Sequence, residues 1–346
     1  MKQRDYYFDN AKFILIFFVV FGHFLRSYIG ESETIYTLYK VIYTFHMPAF
    51  ILVSGYFAKG FHKKGYLPKI AKKLILPYMI FQLIYSIFYY FLYDKSDFQV
   101  DPLTPHWSLW FLISLFFWNL LLPLFAKYKA IYSLTSALLI GLAIGYFDSI
   151  ANYLSLSRTF VFFPLFLMGY FMKKDHFYSL LKPKIKVAAV CILGIVFAGF
   201  YLFPEINYEW LLGSKPYSEL EVTSISAVFT RLGFYLLSLI MVFSFFTLVP
   251  RKQYFFTKLG KNTLYVYLLH GFFIRIFRES EVHNYFTKPE NFLLLACASL
   301  LLSLLLSSKY ITSFAQPIIE LRISKLKSLN IKVQTFLRFY RKKLLN

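Results

Sequence analysis

Charge is what this chain has least of. Asp, Glu, Lys and Arg make up 16% of its residues, too few to cover a soluble surface of this size. Acidic residues are scarcer still, 17 against 38 basic ones. Cysteine is nearly missing. Cys191 and Cys297 stand singly inside apolar runs, with no CxxC pair, so a disulfide framework and a cysteine metal site are both excluded. There is no P-loop, no GxSxG, no HExxH and no other metal-spaced cluster, so no metal is expected. No Gly/Ser-rich linker divides the chain, and no internal repeat is evident. The first apolar run is followed by Phe24-Leu25-Arg26-Ser27-Tyr28 rather than by small residues, so no cleavable signal peptide is expected.

What the chain has instead is grease. Of 346 residues 58% are hydrophobic and 22% aromatic, and the mean hydropathy is +0.54. Soluble domains are nearer about 45–50% apolar. The expected class is all-α, a polytopic integral membrane protein. A spanning helix needs about 20 apolar residues. Such runs occur near 10–29, 36–57, 74–93, 107–125, 130–147, 159–172, 186–204, 228–249, 263–278 and 291–308, which predicts about ten spans. The loops between them alternate in charge. Lys59, Lys63, Lys64, Lys69, Lys72 and Lys73 follow Glu31 and Glu33, and are followed in turn by Asp94, Asp97 and Asp101. The same alternation continues to the basic tail. The positive-inside rule then puts both termini and every basic-rich loop in the cytoplasm. The formal charge of +21 therefore reflects membrane topology, and no nucleic-acid partner is expected. In residues 313–346, Ile318, Leu321, Leu326 and Phe336 alternate with Arg322, Lys325, Lys332 and Arg338. That segment reads either as a basic amphipathic helix on the inner membrane surface or as a solubilising tail.

The first apolar run carries the candidate chemistry. It holds Lys12 and His23, and ionisable groups in hydrocarbon usually line a cavity and act there. At about 100° per residue Lys12 and His23 fall within roughly 20° of each other, with Asp9 and Arg26 on the same side. One polar stripe thus climbs the helix. His23 lies 14 residues past Asp9, about 21 Å higher, on the outer side of the midplane. Neutral imidazole is the usual general base for a hydroxyl. His46 lies near the middle of the second span, where Pro48 would bend the helix and free carbonyls to line a cavity. It either faces His23 or simply packs. Arg158 and Arg231 stand at outer ends of spans, where snorkelling explains them. An aromatic belt explains Trp107 and Trp110 beside His106, and His270 falls in the inner half of its span.

Taken together these blocks look familiar. Asp9-x-x-Lys12 followed by Gly22-His23 resembles the first helix of the membrane acyltransferase 3 family, the O-acetylases of bacterial surface sugars. Within it the chain is most similar to the fucose 4-O-acetylase-like branch. Phe45-His46-Met47-Pro48-Ala49-Phe50 with Ser54-Gly55-Tyr56 resembles the second-helix signature. Leu109-Trp110-Phe111-Leu112, Phe163-Pro164 through Gly169-Tyr170, and Leu259-Gly260 through His270 match later blocks in order. The pattern has arginines where this chain has Lys12, Lys69 and Lys72-Lys73, which keeps the charge and loses the bidentate fork. The likeness runs over roughly residues 5–312, so residues 1–312 are expected to form the acyltransferase domain. It implies acyl-CoA as co-substrate, acetyl-CoA by default, with the phosphates held by Lys69, Lys72 and Lys73. His23 would deprotonate an acceptor hydroxyl or briefly carry the acyl group, with Asp9 and Lys12 ordering the inner end. The acceptor would be a carbohydrate on the surface or on a lipid-linked precursor, and the setting a bacterial plasma membrane, with the lipid bilayer as partner. The rival class is a transporter or flippase, which intramembrane charges and broken helices also fit. A signalling or scaffolding protein would leave His23 without a role.

Overall fold

Each apolar run becomes a helix. The structure, a computed structural model, describes residues 5–150, 153–286 and 291–320. Every regular element among the described residues is helical. In chain order these are α1 (Tyr6–Leu25), α2 (Glu33–Phe57), α3 (Tyr66–Leu92), α4 (Trp110–Phe125), α5 (Ala130–Ala143), α6 (Leu156–Phe171) and α7 (Lys174–Ser179). They continue with α8 (Pro183–Leu202), α9 (Glu209–Leu212), α10 (Ser226–Leu248), α11 (Thr263–Glu279), α12 (Phe292–Leu306) and α13 (Lys309–Ile319). The caps follow from the sequence. Asp5 accepts from the Tyr7 amide and Ser32 from the Ile35 amide, satisfying donors that the first turns of α1 and α2 leave open. Pro183 starts α8, where a missing N–H costs nothing.

Among the described residues six helices are long and apolar enough to cross a bilayer: α1, α2, α3, α6 with the 3₁₀ turn Tyr153–Ser155 before it, α8 and α10. α12 and α13 meet at 63° and pass the same test together. α4 and α5 are shorter apolar helices, and α11 has 17 residues with His270, Arg275 and Arg278 among them. The architecture is an all-α multi-pass membrane bundle, the form in which backbone groups satisfy one another away from water. Most of the basic tail expected at 313–346 lies outside the described residues.

The bundle has a centre and a rim. In α1 and α2, 72% of the spanning window is buried inside the protein, against 11% in α8, which faces outward. α2 packs most extensively against α6. Two glycines permit this. A Cβ at Gly55 would lie 1.9 Å from the Phe166 carbonyl oxygen, and one at Gly169 would lie 1.9 Å from that of Leu52. Small residues bring helix backbones together where no hydrophobic force distinguishes protein from lipid.

The loops gather by charge. At the basic end the Lys59 ammonium donates to the Met172 carbonyl, Lys174 pairs with Asp5 at 2.8 Å, and the Asn10 amide reaches the carbonyls of Pro250 and Lys252. At the acidic end the Tyr28 hydroxyl donates to the His283 carbonyl, and Tyr36 reaches that of Ile206. α1 therefore runs from a basic face to an acidic one.

Candidate active site

His23 stands two residues before α1 ends and the chain tightens into a 3₁₀ turn at Arg26–Tyr28. Its ring lies 4.2 Å from that of Trp107 and 5.3 Å from that of His270, the latter nearly parallel. The Tyr43 hydroxyl lies 3.5 Å from its Nδ1. Gly22 makes room for that tyrosine, since a Cβ there would meet the ring at 2.9 Å. Trp107 holds its place on a left-handed backbone, φ +24°, which costs a non-glycine residue about 1–3 kcal/mol and is characteristic of functional sites.

His23, Tyr43 and Trp107 face a cavity of about 300 Å³ between α1, α2, α4, α6 and α11, with His270 behind His23. That is the lower end of the range for small-molecule sites. His46 lines it too, so it shares a cavity with His23. The His46 Nδ1 lies 2.8 Å from the Ile42 carbonyl, and the His270 Nδ1 lies 2.9 Å from that of Val266. A carbonyl only accepts, so in both rings Nδ1 carries the proton and Nε2 holds a lone pair. The helix thus fixes the tautomer of each. The His270 Nε2 is buried with no partner among the described residues.

A second cavity of about 160 Å³ lies below the first and is mainly apolar. Val19, Met47 and Tyr267 line both, so one layer of side chains divides them. The lower cavity reaches Lys73 on α3 at the basic end. Lys69 and Lys72 lie on the same helix within a turn of Lys73; all three are exposed, and Lys69 and Lys72 line neither of these two cavities. Asp9 and Lys12 form an ion pair at 2.9 Å at the basic end of α1. They too line neither cavity.

The upper cavity carries more charge than its histidines. Arg26, Arg158, Arg275 and Arg278 all line it. Arg278 donates to the His23 carbonyl at 2.8 Å and to the Ser27 hydroxyl at 2.9 Å. Arg275 and Arg278 share the Trp107 ring, at 4.9 and 5.5 Å from its centroid, and Arg158 lies 5.2 Å from that of Trp110. The two tryptophans expected to form an interfacial belt are instead cavity walls.

A comparison of the chain with known families decides its class. The family described as Acyltransferase domain matches residues 5–308. The chain belongs to the acyltransferase 3 family. It is also 31% identical over 143 residues to Nodulation protein NolL of Sinorhizobium fredii, across 37% of this chain and 38% of that one. To Nodulation protein NolL of Mesorhizobium japonicum it is 30% identical over 124 residues, 32% of this chain and 33% of that one. The chain thus aligns with little more than a third of the length of these relatives. No solved structure matches it.

Several residues in this cavity or packed near it were not placed by the sequence. Arg158 does not snorkel outward but lines the cavity. Arg231 is 3% exposed and lies over the rings of Tyr217 and Trp210. His270 is not set apart in the inner half of its span but stacks on His23. Thr263 opens α11 only after the 3₁₀ turn Thr257–Lys261, whose Gly260 lies directly against the Asp9 carbonyl, and this lifts α11 along α1. One signal was present. The chain has ten arginines among its 38 basic residues, and four of the ten line this cavity while the basic loops are built of lysine.

Proposed function

We propose that this membrane acyltransferase is an O-acetyltransferase of the bacterial plasma membrane. It moves an acetyl group from acetyl-CoA on the cytoplasmic side to a hydroxyl of a cell-surface or lipid-linked carbohydrate. The observation that carries this reading is the pair of cavities. A histidine-lined polar chamber meets an apolar slot across one layer of side chains, and that slot opens beside Lys73. The basic end is the cytoplasmic one by the positive-inside rule. Lys69, Lys72 and Lys73 hold the donor's phosphates there as charge-assisted partners. The donor's flexible arm fills the apolar slot and brings the thioester up to His23.

His23 is the general base. Its imidazole takes the proton of the acceptor hydroxyl as that oxygen attacks the thioester carbonyl carbon. The new C–O bond forms, the C–S bond breaks, and the proton passes to the departing CoA sulfur. His46, with its lone pair at Nε2, lies on the same chamber and orients the acceptor through hydrogen bonding. Asp9 and Lys12 anchor the start of α1.

The test uses purified protein in lipid nanodiscs with radiolabelled acetyl-CoA, scoring both thioester hydrolysis and transfer to envelope glycan. His23→Gln keeps the hydrogen bonding but cannot take up a proton at neutral pH. Transfer should fall by about 10² to 10⁴, the usual contribution of a general base, at matched folded protein. If His23→Gln keeps more than about a tenth of the activity, less than any such loss, His23 is not the base. If the wild-type protein neither binds nor cleaves acetyl-CoA, the transporter reading replaces the enzyme.

A further inference from the structure

The upper cavity is lopsided in charge. Four guanidinium groups line it, and among the described residues no Asp or Glu does. Among the described residues no carboxylate lies within ion-pair distance of Arg26, Arg158, Arg275 or Arg278. Arginine stays charged at any accessible pH. Burying such charges without opposite ones is costly, and the cost is normally met by pairing. The partners on hand are neutral. Arg26 donates to the Tyr39 hydroxyl at 3.0 Å, Arg158 to the Leu212 carbonyl at 3.3 Å and Arg275 to the Tyr93 hydroxyl at 3.2 Å. Ring faces soften the burial, but two guanidiniums share the single Trp107 ring and no charge is cancelled. The Arg275 Nε is buried and has no hydrogen-bond partner among the described residues. A buried donor of that kind calls for an acceptor.

The geometry points to an acceptor that is itself an anion, a sugar carrying a carboxylate or phosphate next to the hydroxyl that receives the acetyl group. This deepens the acyltransferase reading and rests on it. Arg275 and Arg278 stand one helical turn apart on α11, against the same tryptophan that contacts His23. An anion gripped by their planar forks would hang its neighbouring hydroxyl beside that imidazole. The donor's phosphates do not serve this purpose. They belong with Lys73 at the far end of the apolar slot, beyond Val19, Met47 and Tyr267.

The test is a binding titration of the nanodisc-embedded protein with glucuronate, glucose 6-phosphate and glucose, and separately with acetyl-CoA. The two anionic sugars should bind about tenfold tighter than glucose or better, as expected for a charge-assisted contact. Glucuronate and glucose 6-phosphate together tell a carboxylate preference from a phosphate preference. The double variant Arg275→Gln, Arg278→Gln should abolish the difference while acetyl-CoA affinity holds within about twofold, which also shows that it is folded. Arg275→Lys, Arg278→Lys should recover part of the preference, since the charge returns without the fork. Equal affinity for glucose and the anions overturns the proposal. So does a double glutamine variant that loses acetyl-CoA and keeps the anionic sugar, because the arginines would then serve the donor. His23→Gln separates the two readings. It should stop transfer and leave anion selectivity intact, whereas a wild-type protein that selects the anionic sugar and never transfers refutes the chemistry and not the anion site.

Discussion

At its start α1 carries Asp5 and Asp9, and lysine answers both; at its end it carries His23 and Arg26, and among the described residues no carboxylate lies within ion-pair distance of either. The inner pairs are short, Lys174 to Asp5 at 2.8 Å and Lys12 to Asp9 at 2.9 Å. At the other end Arg26 is held by the Tyr39 hydroxyl and the Tyr208 ring face, and His23 has the Tyr43 hydroxyl 3.5 Å from its Nδ1. The difference separates two uses of one helix. A charge that is neutralised in place fixes backbone and end position. A charge left open in a cavity is available to a ligand, and costs stability until one arrives. The polar stripe of α1 is therefore two features stacked on one face, about 17 Å apart from Lys12 to His23 by helical rise.

The sharpest way to press this comparison is at the basic surface itself, where lysines are also unpaired but exposed. If Lys69, Lys72 and Lys73 grip the donor, changing all three to alanine should raise the KM for acetyl-CoA by about ten- to hundredfold, the scale of losing a few charge-assisted contacts. The kcat should change little, because none of them touches the reacting atoms. Steady-state kinetics in nanodiscs gives both numbers. An unchanged KM would reduce these lysines to topology signals and leave the outer cavity as the place where this protein holds an anion.

The next effect is smaller and concerns the Asp9–Lys12 pair. Asp9 is 6% exposed and Lys12 22%. Lys12→Ala removes the ammonium from a nearly buried carboxylate. The cost should be about 1–3 kcal/mol, below the full range for a buried pair because Lys12 is partly wet. That corresponds to several degrees in apparent melting temperature, at about 2–4 °C per kcal/mol. Turnover per folded molecule should stay within about threefold, well short of a general-base loss. Lys12→Arg should behave as wild type. A Lys12→Ala protein with normal melting and a hundredfold lower turnover would break the comparison, because the inner pair would then act in the chemistry.

The fold was largely readable because membrane helices announce themselves. An apolar run of spanning length leaves the backbone no alternative to helix, and alternating loop charge sorts the two ends. His23 and His46 were readable for a related reason, since an imidazole in a hydrocarbon-rich run demands an explanation. The rest of the cavity was not. A helical wheel gives angle but not height, which is why Asp9 and Lys12 shared a stripe with His23 yet line no cavity with it. Arg158, Arg275 and Arg278, and the His270 that stacks on His23, arrive from α6 and α11, more than a hundred residues away along the chain. Charge at the end of a single span looks the same whether it reaches up to water or in toward a neighbour. The packing of α2 on α6 through Gly55 and Gly169, and the turn at Gly260, decide that, and neither leaves a periodic trace.

The smallest expected effect lies at the outermost inner pair, and it tests whether that end is only an anchor. Asp5 caps α1 through the Tyr7 amide, accepts the Tyr178 hydroxyl at 2.8 Å and faces Lys174, which is half exposed. Asp5→Asn keeps the cap, since asparagine is as good an N-cap as aspartate, and keeps an acceptor for Tyr178. It loses only the attraction between exposed charges, about 0.5 kcal/mol, and this difference should vanish in about 1 M salt as screening removes it. Asp5→Ala loses the cap as well and should cost about 1 kcal/mol more. Hydrogen bonds that the Lys174 ammonium donates to Asp5 and to Tyr178 hold it above its ordinary range. A raised lysine contributes fully below its unfolded value and loses the contribution only as pH climbs through the folded one. The gap between wild type and Asp5→Asn should therefore stay flat from about pH 6 to pH 9. Thermal melts at low and high salt across that range measure it. A gap that survives high salt, or a raised KM for acetyl-CoA in Asp5→Asn, would mean that the start of α1 does more than anchor the helix, and the contrast between its two ends would fail.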